Sequence, residues 1–427
     1  MSLPSRNKLT YLLCAAMTVE VANTFLFAYF LTVIAGELGL SRGITALLGY
    51  APLAVGVLGG YLVGLIADLF GRKTGLLLSL SFSGLGAVLT GLSSQPWSLV
   101  LARLIIGLTL AGTWASAVVL GNESVPQNYR GRISSAVQVG FPLGNLLCSA
   151  LLSLLGPRFG WHGSFIGLGL IIWFCVLLLT LKLDESPLWH SKSTGADRAR
   201  LGEIFNPPYR RIVFLASCLS LLGMFSGFAL QTSVPRFFET MGFSGSKIPL
   251  YTALAWVAAT LGYAYFGLIA DRYGDAVTLI GYMLGAIAFS MCLGLVPQLL
   301  MAKGDWARAK ILAILFTVLM MYTTGFFSGY GSVYSALFPT DIRTNAVGFA
   351  FNFGRFGNAL APFAVEMLAE RLGIGYGLIL AALPLGVAAI MVWRLQRAKF
   401  ITWERINYKE GSWGLRTRYS QKTYPEE

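Results

Sequence analysis

Apolar residues run along this chain in blocks that neither strand alternation nor a half-buried surface helix explains. Residues 43–67, 133–157, 212–235, 248–270, 276–302, 311–340 and 372–393 contain no Asp, Glu, Lys or Arg. Each block exceeds the roughly 20 residues that cross about 30 Å of hydrocarbon. Dividing the chain at charges, prolines and turn residues predicts twelve spans, at 10–35, 44–67, 74–94, 97–121, 133–156, 162–182, 212–235, 249–270, 276–297, 310–337, 344–369 and 372–396. The expected fold is an all-α membrane protein.

The spans fall into two sets of six because one loop is written twice. Gly64-Leu65-Ile66-Ala67-Asp68-Leu69-Phe70-Gly71-Arg72-Lys73, between spans 2 and 3, returns between spans 8 and 9 as Gly267-Leu268-Ile269-Ala270-Asp271-Arg272-Tyr273-Gly274-Asp275. This predicts two pseudo-symmetric bundles, 1–182 and 212–396, a connector at 183–211 and a tail at 397–427. Composition agrees: of 427 residues 56% are hydrophobic and 12% charged, more apolar surface than one soluble core can hide.

With both termini on the cytoplasmic side, that side receives 22 Lys and Arg against 8 outside, and Arg103 and Arg355 stay within spans. The positive-inside rule predicts this orientation, in a plasma or inner membrane. Much of the net charge of +13 sits in the connector and the tail. Beside membrane helices, such charge points to anionic lipid headgroups and away from nucleic acid. Arg6 and Lys8 precede an apolar run as in a signal peptide, but no cleavage region follows, so the run is read as span 1. Cys14, Cys148, Cys175, Cys218 and Cys292 lie in spans without CxxC spacing, and His162 and His190 lie at span ends. They predict small buried hydrophobes and no metal site or cofactor.

The informative residues are ionisable ones in the spans. Glu20 falls near the middle of span 1, where an acid costs about 2.5–3.5 kcal/mol and needs a partner, a proton or a watery cavity. Asn23, Thr24 and Phe27 extend a polar stripe from it. Arg103 in span 4, on a face with Gly107, Ala111 and Trp114, is the expected counter-charge, either as a structural bridge or as half of a proton-coupling pair. Arg355 in span 11, flanked by Asn352 and Asn358, fits anion binding, a structural pair or a gate. Gln138 and Asn145 in span 5, Gln231 in span 7, and Tyr322, Phe326 and Tyr330 in span 10 are candidates to line the same cavity. In the loops, Gly64 and Gly71 permit close contact and a tight turn, Asp68 can cap a helix and Arg72 can latch onto an acid. Glu123, Arg130, Glu185, Asp341 and Arg343 are placed to join that network, and Asp271 and Arg272 to repeat it. Asp275 stands where Arg72 stood, so the second latch must be built differently.

These segments together resemble the major facilitator superfamily over nearly the whole chain. The duplicated loop, Arg103 to Gly112, Glu123…Pro126…Arg130-Gly131-Arg132, Glu185-Ser186-Pro187-Leu188-Trp189 and Pro339-Thr340-Asp341-Ile342-Arg343 carry the resemblance. Within it, the acid Glu20 and the pair Gly354-Arg355 resemble proton symporters for aromatic acids, sialic acid and related metabolites. That implies a monomeric carrier taking a small organic anion together with protons. Asn23 replaces the second acid that those groups tend to carry. The lone Gln231 argues against a hexose porter, and the incomplete signature around Gly140, Pro142 and Gly144 favours symport over efflux. A sugar or polyol carrier and a proton-driven exporter of drug-like or cationic compounds are the alternatives. No constellation for an enzyme is present.

Overall fold

The computed structural model describes residues 3–192, 202–207 and 209–398; the expected tail and the middle of the connector lie outside the described residues. Every regular element described is helical. The first half comprises α1 (Leu3–Glu37), α2 (Arg42–Phe70), α3 (Arg72–Leu92), α4 (Pro96–Glu123), α5 (Arg130–Leu154) and α6 (Gly156–Lys182), followed by the short α7 (Pro187–Lys192). The second comprises α8 (Arg210–Thr232), α9 (Val234–Thr240), α10 (Ile248–Tyr273), α11 (Asp275–Ala302), α12 (Trp306–Thr323), α13 (Phe327–Leu337), α14 (Arg343–Phe353), α15 (Arg355–Leu372), α16 (Ile374–Ala382) and α17 (Pro384–Arg397). The bundle end at which α1 begins is called the lower end below.

The duplicated loop has one physical job in both copies. Gly71 (φ 110°) joins α2 to α3, and Gly274 (φ 97°) joins α10 to α11. Only glycine takes this backbone conformation without strain, so one helix stops and the next starts on a single residue.

Three predicted spans are broken in mid-course. Span 10 turns 3₁₀ at Thr324–Phe326, span 11 divides at Gly354, and span 12 divides before Pro384. A Cβ on Gly325 would lie 2.5 Å from Gly262 backbone, and one on Gly354 2.7 Å from the Ser220 carbonyl. At these two breaks the backbone is pressed against a neighbouring helix. Irregular backbone at that depth is tolerated only where protein or a cavity covers it. Span 6 starts earlier than expected, at Gly156, with a kink at Gly160.

In the first half α1 packs on α5, α2 on α4, and α3 on α4 and α6. In the second, α8 packs on α15, α10 on α12, and α11 on α12 and α17. The halves meet chiefly through α2 with α14 and α5 with α10. Large apolar side chains such as Phe174, Leu177, Leu181, Ile311 and Ile390 are more than half exposed. In a bilayer such groups face acyl chains instead of water.

Candidate functional site

Glycines set how closely the halves approach along α2 and α14. A Cβ on Gly64 would lie 2.6 Å from Asn345 Cα, and one on Gly60 2.5 Å from the Gly348 carbonyl. One on Gly56 would lie 3.6 Å from Arg355 Cδ and 3.4 Å from the Gly107 carbonyl. Because these three glycines recur every fourth residue, they form one smooth stripe against which α14 lies flat.

Arg355 sits at the top of this seam, half-buried. Its Nε donates to Asn352 Oδ1 at 2.6 Å. Asn352 in turn donates from Nδ2 to the Gly348 carbonyl at 2.7 Å and to the Ala111 carbonyl at 3.4 Å. The amide thus ties the guanidinium to α14 and to α4. One turn below, Trp114 of α4 stacks on Phe351 of α14 with ring centroids 3.5 Å apart and planes 11° apart. Trp114 Nε1 donates to Gln138 Oε1 at 3.1 Å, and Tyr330 meets Phe351 edge-on at 5.9 Å.

The expected Glu20–Arg103 bridge is not formed. Glu20 is fully buried, faces the hydroxyls of Ser83 and Thr113, and has neither carboxylate oxygen in hydrogen-bonding geometry. Arg103 instead lies over the Phe27 ring, 3.9 Å from its centroid, with Nε and Nη1 unpartnered. The reason is depth. Phe27 is seven residues along α1 from Glu20, a rise of about 10 Å, so the two ionisable groups occupy different levels.

Other expected cavity residues are engaged elsewhere. Asn23 donates to Ser83 Oγ at 3.0 Å and to the Ser83 carbonyl at 3.1 Å, so it ties α1 to α3. Gln231 donates to Tyr263 Oη at 3.1 Å, and Tyr322 stacks on Tyr282 at 5.7 Å, both inside the second half. Phe326 stacks on Phe327 at 4.6 Å. Asn145 is half-buried and donates to the Phe141 carbonyl of its own helix at 3.4 Å.

The lower end is closed by charge. Arg72 is wholly buried: Nε donates to Glu123 Oε2 at 3.0 Å, Nη1 lies 3.2 Å from Asp68 Oδ1, and Nη2 donates to the Thr340 carbonyl of the other half. Arg343 Nη1 reaches the second oxygen of Glu123 at 2.6 Å. Asp68 accepts from the backbone N–H of Thr344 at 3.1 Å and of Asn345 at 2.8 Å, which makes it the N-terminal cap of α14. Glu185 accepts from the N–H of Lys73 at 3.1 Å and so holds the start of α3. Arg130 Nε donates to the Asn122 carbonyl at 2.9 Å. The Asn122 side chain bridges to Ser335 Oγ at 3.1 Å and the Gly331 carbonyl at 3.2 Å.

The second copy is lighter. Asp271 accepts from Gly131 N–H at 2.9 Å and pairs with Arg132 at 3.0 Å, so it caps α5 as Asp68 caps α14. Asp275, in the place of Arg72, accepts from Ser332 Oγ at 2.8 Å within its own half. Arg272 is exposed and lies over Tyr273 at 5.3 Å. Asp341 is half-buried in the 3₁₀ turn before α14. Sequence reasoning missed Ser83, Thr113, Phe351 and Asn122. Phe351 alone left a signal, four residues before Arg355 and so on its face.

Paired six-helix halves, a mid-depth cation between them and an ionic clasp at one end define a membrane carrier. The family model of the Major Facilitator Superfamily matches residues 12–334, and the chain belongs to that superfamily. It is a multi-pass membrane transporter, not an enzyme. It is 26% identical over 377 residues to a probable 4-methylmuconolactone transporter of Cupriavidus pinatubonensis, covering 87% of this chain and 86% of that one. It is 28% identical over 375 residues to the cis,cis-muconate transport protein of Acinetobacter baylyi, covering 85% and 88%. Among solved structures, the proton:xylose symporter XylE superposes with a TM-score of 0.73 at 17% identity, covering 94% of this chain and 97% of that one.

Proposed function

We propose that this transporter carries a small organic carboxylate across the membrane together with protons, by alternating access of two rocking halves, 1–182 and 212–396. Arg355 carries the reading. It is a half-buried guanidinium between the halves, steadied at Nε by Asn352 and without another hydrogen bond or ion pair among the described residues. A guanidinium offers a carboxylate a planar fork of donors that an ammonium cannot match. The relative named for cis,cis-muconate transport supports an organic acid as cargo.

The 22-to-8 bias of Lys and Arg supports a cytoplasmic lower end. Arg355 is then reached from outside, because the seam beneath it is shut. In the cycle, Glu20 takes a proton from the outer side and the anion docks on Arg355. Glu20 and Arg355 both lie near the middle of their spans, so the proton and the arriving carboxylate together neutralise the two charges that the carrier keeps at that depth. Neutralisation lowers the cost of occluding both in a dry interior. The clasp at Arg72, Glu123 and Arg343 then breaks, and proton and anion leave inward. Loading must favour occlusion more than protonation alone does, or protons would leak.

Uptake of labelled organic acids into proteoliposomes, with and without an inward proton gradient, tests this. The expected result is carboxylate accumulation that the gradient increases. Cations or neutral sugars accumulating in place of acids would overturn it.

A further inference from the structure

We infer that the Trp114–Phe351 stack is a shutter between the halves that selects flat, conjugated carboxylates over saturated ones of equal size and charge. The inference rests on the carboxylate reading above and adds the residues that would judge the rest of the molecule. Aromatic pairs in protein interiors prefer edge-to-face or offset-stacked arrangements, with centroids about 4.5–7 Å apart, over a face-to-face sandwich, and most pairs in this chain meet edge-on or tilted. Trp114 and Phe351 instead lie parallel at 3.5 Å, and they come from opposite halves. Their contact is therefore a slot that must open whenever α4 and α14 separate.

Each ring is held by its own half. Trp114 is pinned to α5 through Gln138, and Phe351 is backed by Tyr330 of α13. As the halves part, the rings move apart with their faces parallel. Each face then needs a new partner or meets water. A planar π system one ring thick fits that demand. A puckered saturated ring is thicker and presents no π face.

The anchor is at the right distance. Phe351 and Arg355 are one helical turn apart, a rise of about 6 Å. A flat acid whose carboxylate is on Arg355 thus lays its ring at the level of the stack. Asn352, between the two, is tied to both α14 and α4 and fixes the spacing. Cargo of this shape would enter between the two rings, so opening the shutter leaves neither ring face unpartnered.

The test uses the full chain in proteoliposomes and measures competition by benzoate and by cyclohexanecarboxylate, matched in charge and carbon count, in the unmodified protein and in Phe351→Leu, Trp114→Leu and Phe351→Tyr. Stacking on an aromatic face predicts benzoate preferred by roughly two- to twelvefold. Either leucine variant should bring the two acids to parity, and Phe351→Tyr should keep the preference. A benzoate preference that survives both leucine variants, or none in the unmodified protein, would overturn the shutter while leaving the carboxylate reading in place. If neither acid competes and Arg355→Gln changes nothing, the carboxylate reading falls, and this inference with it. A leucine variant that fails to assemble would leave Phe351→Tyr against the unmodified protein as the deciding pair: loss of the benzoate preference in a folded Phe351→Tyr protein contradicts the inference.

Discussion

Asp68→Asn should loosen the lower end of the seam and shift the carrier toward the state open below. Asp68 spends both oxygens on the start of α14, at 3.1 Å from Thr344 N and 2.8 Å from Asn345 N. An asparagine keeps one acceptor and turns an NH₂ group toward the other amide, so one charge-assisted hydrogen bond to α14 is lost, about 1.5–3 kcal/mol, and the ion pair with Arg72 Nη1 goes with it. Removing the anion from a helix N-terminus loses about 0.3–1 kcal/mol more. Arg72 keeps its two bonds to Glu123, so no bare buried cation is created. The two losses at the start of α14 alone, about 2–4 kcal/mol together, correspond to a roughly 30- to 1,000-fold change in the ratio of the two states. The readout is alkylation of Ala115→Cys in a background without native cysteines. Ala115 is fully buried at the seam, within reach of Gly348. A reagent applied from the lower side should label it at least tenfold faster in Asp68→Asn. An unchanged labelling rate in a folded protein would show that the cap does not hold the halves together.

Three other outcomes follow from the same geometry. Arg355→Lys keeps the charge but loses the fork, and should weaken carboxylate binding about tenfold in equilibrium binding, with no effect on protein yield. Gly60→Val adds bulk where even a Cβ would come 2.5 Å from the Gly348 carbonyl; overpacking of about 1–3 kcal/mol should hold the lower end ajar, and cross-linking between cysteines on α2 and α14 should fall. Arg272→Ala removes an exposed charge that touches only Tyr273 among the contacts described, and should leave transport rates within about twofold.

The spans were legible because charge-free length is what a bilayer demands, and the halves because their loop is written twice. The breaks at Thr324–Phe326 and Gly354 were not, since they follow from contact with Gly262 and Ser220 on other helices. The site was half legible. A buried acid and two buried arginines stand out in any apolar span, but their pairing depends on depth. Glu20 is eighteenth in the 35-residue α1, while Arg103 is only eighth in the 28-residue α4. Arg355, thirteenth from the start of α14, is the guanidinium near mid-depth. The partnership of Trp114 with Phe351 and of Asn23 with Ser83 depends on how separate helices are rotated, which no local pattern states.

Proton flux measured alongside carboxylate uptake in Glu20→Gln proteoliposomes decides whether Glu20 couples the two. The variant should still exchange carboxylate across the membrane but no longer accumulate it against a gradient or move protons with it. Undiminished uphill accumulation by Glu20→Gln, with the same proton flux as the unmodified carrier, would contradict it.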